Sequence, residues 1–213
     1  MADWLAAHLS DERPQKQLTN VCVHPATFHT ALPKREEGTL HLVITDNPLF
    51  PHVDQIIAKH KWRDEGVQYE KDVLVLRDPY NCFASCIKRW GVRWAEFSWQ
   101  SQIWKNLAKM AVSGEADGRG YVVCLFDRWY TEKPYREGVS KQMDLKHTDD
   151  GFGIVRQPSS FEEFARDHRK LHLFDRWQEF KDNEKYRSLF DDEVHALAQK
   201  LWPDIGEIRR QIW

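Results

Sequence analysis

The sequence predicts an α/β domain of three layers: a mainly parallel central sheet with helices on both faces, and a largely helical C-terminal part. Three observations predict it. The apolar runs TLHLVIT, VLVL and YVVCLF are continuous rather than alternating, as expected of strands covered on both sides. Segments with helical spacing separate these runs, the pattern of parallel strands joined by crossover helices. After the last run the chain reads as mainly helical.

Taken in order, residues 2–9 (ADWLAAHL) place Trp4, Leu5, His8 and Leu9 on one helical face, and Pro14 ends that pattern. Residues 19–23 (TNVCV) and 39–45 (TLHLVIT) have strand length. Pro48 and Pro51 punctuate the next connection, and Val53, Ile56, Ile57 and His60 then recur at helical spacing. Residues 73–76 (VLVL) form the third strand, followed by a helix to about Trp90. A longer helix is predicted over 94–112, with Trp94, Phe97, Ser101, Trp104, Ala108 and Ala111 along one stripe. Gly114, Gly118 and Gly120 mark a loop before the fourth strand, 121–126 (YVVCLF). Val194, Leu197, Ala198 and Leu201 define a C-terminal helix that Pro203 stops.

A chain of 213 residues fits one domain spanning 1–213, large enough to bury a substantial core. With 10 Trp and 11 Phe, that core can be dense in aromatic rings. The formal charge of −2 gives no bulk case for a nucleic-acid partner, so an anion site must come from a local cluster. No apolar run approaches the roughly 20 residues that cross a bilayer. The opening MADWLAAHLSDERPQ lacks the basic start and long apolar region of a signal peptide. Cys22, Cys82, Cys86 and Cys124 make no CxxC pair, so reduced thiols and a cytoplasmic location are expected. The ten histidines show no HxH or HExxH spacing, and no metal site is expected.

In parallel sheets, ligands sit beyond the carboxyl ends of the strands. Asp46, Arg77 and the pair Asp127–Arg128 stand at three such ends. Residues 73–89 (VLVLRDPYNCFASCIKR) combine the features of a phosphate site. Arg77 lies where the strand gives way to a turn, Asp78 is a good N-cap, and Pro79 suits the first helical position. Tyr80, Phe83, Ala84 and Ile87 form one apolar face, while Asn81, Ser85, Lys88 and Arg89 occupy the adjoining polar face. A guanidinium at the strand end and a hydroxyl two turns along the helix can converge on one phosphate, helped by the helix N-terminus. The alternative is a capped surface helix in which Arg77 pairs with a nearby carboxylate.

This segment resembles the 3′-phosphate motif of sulfotransferases that use 3′-phosphoadenosine 5′-phosphosulfate (PAPS), in which an Arg closing a strand and a Ser eight positions later bind the 3′-phosphate. Arg77 and Ser85 match both residues and spacing. Three later segments extend the likeness to bacterial sulfotransferase-like proteins: CLFDRWYTEKPYRE (124–137), QPSSFEEF (157–164) and LFDRW (173–177). The resemblance covers roughly residues 40–180. It implies a P-loop-like fold, PAPS or adenosine 3′,5′-bisphosphate as nucleotide, and sulfuryl transfer to a hydroxyl or amine of a small molecule or glycan. It also implies cofactor contacts from Arg77 and Ser85, with Asn81, Ser159 and Ser160 as lesser candidates. Asp46 and Asp127 are the candidate catalytic carboxylates.

Two departures qualify the resemblance. The small-residue, basic, hydroxyl-bearing turn that wraps the 5′-phosphosulfate has no match, the first glycine being Gly38. Either Met1 stands downstream of the natural start, or the protein is a degenerate relative that binds nucleotide or protein without turnover. A sheet deprived of its first strand would expose either a neighbour's edge or an apolar groove, which points to completion by a partner strand, as in a homo-oligomer, or to poor solubility. In the serine loop, Arg156-Gln157-Pro158 replaces the glycines of the relatives, and Pro158 brings no N–H. Ser159 and Ser160 then also suit a capping role before Glu162 and Glu163.

Overall fold

The computed structural model describes residues 72–96, 99–150, 152 and 173–213, together with the strands β1 (Gln17–Val23) and β2 (Thr39–Thr45). It is a mixture of helices and short parallel strand pairs, and its later part is mostly helical. β1 pairs with β2 in parallel from Gln17↔Thr39 to Val23↔Thr45. β3 (Asp72–Leu76) pairs in parallel with β4 (Tyr121–Leu125), ending at Leu76↔Leu125. All four expected strands are present, β1 beginning two residues earlier than its apolar run. The expected helices around residues 2–9 and 53–60 lie outside the described residues.

Between β3 and β4 run α1 (Pro79–Trp90), a 3₁₀ turn (Val92–Glu96), α2 (Trp99–Ser113) and α3 (Glu115–Gly118). α1 forms as its sequence dictates. Asp78, at the N-cap, accepts from the Asn81 N–H at 2.9 Å, and Pro79 follows in the first turn. Such a cap is worth about 1 kcal/mol. Gly91 stops the helix at φ 82°, where its N–H returns to the Ile87 carbonyl at 2.8 Å.

The helix expected from Trp94 instead starts at Trp99. A 3₁₀ turn intervenes, burying Ala95 in the core while Glu96 pairs with Lys185. The glycine loop also carries more structure than expected: α3 fits between Gly114 (φ 77°) and Gly120 (φ 81°).

α4 (Phe126–Thr131) begins directly at the end of β4, and α5 (Lys133–Gln142) follows. After a 3₁₀ turn (Arg176–Glu179) come α6 (Glu184–Arg187), α7 (Asp192–Leu201), a further 3₁₀ turn (Pro203–Ile205) and α8 (Gly206–Ile212).

The buried side chains of β3 and β4 feed two hydrophobic clusters. Leu76 and Leu125 join Tyr80, Phe83, Ile87, Trp104, Phe190, Val194 and Trp202 in the larger one. Val122 and Cys124 pack with Trp129, Val139 and Met143 in the smaller, with Val73 against them. Burying each large side chain contributes about 1.5–3 kcal/mol, so α1 is fixed chiefly by Phe83, Ile87 and Tyr80. Val75 departs from the expected full burial of β3, being 44% exposed. No helix among the described residues is long and apolar enough to cross a membrane.

Candidate functional site

The β3–β4 register aligns the carboxyl ends of the two strands, so Arg77 and Asp127 leave the same edge. α1 begins at that edge and carries Ser85 two turns along. The structure joins these side chains directly: Arg77 Nη1 donates to Ser85 Oγ at 3.2 Å. A second guanidinium converges on the same oxygen, Arg176 Nη1 donating at 2.9 Å. The Ser85 hydroxyl in turn donates to the Asn81 carbonyl at 2.7 Å. One hydrogen and two lone pairs are thereby all engaged.

Arg77 is held from several directions. Nη2 donates to the Leu173 carbonyl, and the guanidinium lies over the Phe126 ring, 5.5 Å from its centre. The Arg77 carbonyl accepts from Trp104 Nε1–H at 3.0 Å, which anchors the strand end to α2. Its Nε faces Asp127 Oδ1 at 4.0 Å, too far for a hydrogen bond.

Asp127 sits in the first turn of α4 and is 9% exposed. Its Oδ2 accepts from the Asp78 N–H at 2.9 Å. Burial, and then the adjacent Asp78 carboxylate, push the Asp127 carboxyl up to about 8; the Asp78 N–H and Arg77 oppose that rise. Asp78 itself is committed to the cap of α1. The Asn81 amide donates to both of its oxygens, at 3.3 and 3.1 Å.

Asn81 departs from expectation. Instead of lying on a polar helix face it is 1% exposed, its side chain folded back onto Asp78. It reaches the site through its carbonyl, the partner of Ser85 Oγ. Lys88, on the same predicted face, is exposed and pairs with Glu179. Arg128, next to Asp127, turns outward to Glu132 at 2.9 Å. Asp46, Ser159 and Ser160 lie outside the described residues.

Arg176 is a site residue that no motif in the sequence marks. Its signal was an arginine between Leu173 and Trp177, two residues that are buried. A cation so placed needs polar partners. Three buried polar atoms around the junction lack a hydrogen-bond partner: Arg77 Nε, Asn81 Oδ1 and Asp127 Oδ1. In native proteins such atoms are few and call for an explanation.

Chemically, two guanidiniums that converge on one hydroxyl bring planar, charge-assisted donors together, as an anion receptor requires. Thiols are also at hand: Cys82 and Cys86 lie partly buried on α1 as cysteines outside any disulfide. The side-chain hydrogen bond from Cys86, followed by Arg77 among the charges, lowers Cys82 against the opposing effect of burial. No group of metal-ligating side chains occurs among the described residues. No family model, no curated protein and no solved structure matches this chain.

Proposed function

We propose that the chain is a sulfotransferase-like protein of P-loop-like, three-layer fold. It binds the 3′-phosphate of PAPS, or of adenosine 3′,5′-bisphosphate, with Arg77 and Ser85. The observation that carries this reading is the direct Arg77–Ser85 contact at 3.2 Å, since the motif was recognised only by residue type and spacing. Arg176, donating to the same hydroxyl, supplies the second positive charge that a phosphate dianion calls for. The reaction that the resemblance implies is in-line attack on the sulfuryl group by a hydroxyl or amine of a small molecule or glycan. Protein groups then act by positioning and charge, not through a covalent intermediate.

Isothermal titration with adenosine 3′,5′-bisphosphate tests this reading. Arg77→Ala is expected to weaken binding at least about tenfold, the loss of one charge-assisted pair. Binding that ignores this substitution would sink the assignment.

The donation from Arg77 Nη2 to the Leu173 carbonyl favours a second reading. Here the guanidinium serves as an internal tie, and the chain is a nucleotide- or protein-binding module without turnover. Transfer of labelled sulfate to any acceptor by the chain would discard that alternative.

A further inference from the structure

We propose that Asp127 is a positioning residue that couples anion binding at the Arg77–Ser85–Arg176 cluster to the uptake of a proton. The inference rests on the phosphate-binding reading and adds a regulation of the same site.

The geometry has three parts. First, Arg77 Nε and Asp127 Oδ1 face each other at 4.0 Å, and both are buried without a hydrogen-bond partner. An ionised Asp127 would draw the Arg77 charge toward itself; a protonated one leaves that charge to an anion. Second, Asp127 is anchored beside Arg77, its Oδ2 accepting from the Asp78 N–H at 2.9 Å. Third, the same guanidinium contacts Ser85 through Nη1, so the anion site and the carboxyl share one cation.

Among the described residues, the charges that act most on Asp127 are those of Arg77 and Asp78. Arg77 faces it from the end of β3, Asp78 from the cap of α1, and the Cys82 thiol on α1 senses its charge. Arg128, on the same helix, is engaged outward with Glu132. Arg176 stands beyond Ser85. Burial and Asp78 already hold the carboxyl up to about 8, so it carries its proton in neutral solution. An anion beside Arg77 repels the ionised form and raises the proton affinity further. Binding above that point therefore takes up a proton, and affinity falls as pH rises.

The test is isothermal titration of the full chain with adenosine 3′,5′-bisphosphate between about pH 7 and about pH 9. This range lies above the second phosphate ionisation near ~6. Each titration is run in two buffers of different ionisation heat, which reports protons bound. The wild type is expected to lose about tenfold in affinity over that range, with up to about one proton taken up. Asp127→Asn is expected to bind with the same affinity throughout and to take up none. Circular dichroism checks that the variant folds. Should it not fold, the wild-type buffer dependence decides alone. Tight binding without proton uptake or pH dependence overturns the inference and leaves the phosphate reading intact. No binding by the wild type at any pH overturns both.

Discussion

The buried carboxyl of Asp127 makes a prediction about stability that needs no ligand. In the folded chain the group is held at about 8, against an ordinary value of 3.8. Between those values the folded state keeps a proton that the unfolded state has lost. Unfolding then releases a proton, and stability falls as pH rises. The sign is opposite to that of a salt-bridged aspartate, whose contribution grows with pH. Each unit inside the window costs up to about 1.4 kcal/mol, the slope flattening as the folded value is approached. From about pH 6 to about pH 8 the loss comes to about 2 kcal/mol. Asp127→Asn lacks this titration but keeps the shape and an acceptor for the Asp78 N–H. Urea unfolding of both proteins at several pH values isolates the effect, because the histidines contribute equally to each. The variant should gain about 2 kcal/mol on the wild type over those two units. Parallel curves would refute the reasoning. They are what an Asp127 already ionised and paired with Arg77 would give, since such a group no longer titrates over that range in either state.

The other predictions concern the shell around Arg77. Ser85→Ala removes the oxygen on which two guanidiniums converge, and should cost about 1–3 kcal/mol in urea unfolding as well as weakening nucleotide binding; a variant of unchanged stability would mean the contacts are dispensable. Trp104→Phe deletes the Nε1–H bond to the Arg77 carbonyl at 3.0 Å and leaves a gap beside Trp202, 6.4 Å away between ring centres; a loss of about 2 kcal/mol is expected, and a loss below about 0.5 would contradict it. Tyr80→Phe breaks the buried contact between Tyr80 Oη and His195 Nδ1 at 2.8 Å, at a cost of about 1 kcal/mol. Burial, followed by Arg209, lowers His195 below its ordinary 6.5, so its contribution to stability is present above that value and lost on acidification. An NMR titration of the His195 imidazole giving an ordinary or raised value would contradict that environment.

The parts of the site that were legible in the sequence are those fixed by local chemistry. Asp78 and Pro79 announce the start of α1, and the spacing of Tyr80, Phe83 and Ile87 fixes its inner face. With the helix so placed, Ser85 falls two turns from Arg77 on the side where the two meet. Asn81 runs against its pattern: its position on the helix suggests solvent, whereas its amide is drawn to the buried Asp78 carboxylate. The start of α2 differs from its pattern for a similar reason. The apolar stripe continues through the 3₁₀ turn, and nothing local signals that the chain must first bring Ala95 into the core. Arg176 illustrates the larger limit. It meets Ser85 across 91 residues of sequence, and no periodicity encodes a contact that only tertiary packing creates.

The charge balance of the cluster binds these observations together. Arg77 and Arg176 bring two positive charges to one hydroxyl, and Asp78 brings one negative charge that the helix cap already uses. If Asp127 were ionised the group would be neutral, and a phosphate would have to compete with a carboxylate fixed in place for the Arg77 charge. With Asp127 protonated the cluster keeps a net positive charge in a partly dry setting, where electrostatic attraction is stronger than in water. On the proposed reading, burial of Asp127 is thus what leaves the Arg77 charge to an anion. The backbone bond from Asp78 holds that carboxyl where its charge state matters most. Moving the acid to solvent would relieve its desolvation and ionise it, yet distance and screening would then weaken its hold on Arg77. A protonated acid in contact and an ionised acid at a distance both free the arginine, but only the first makes anion binding depend on pH.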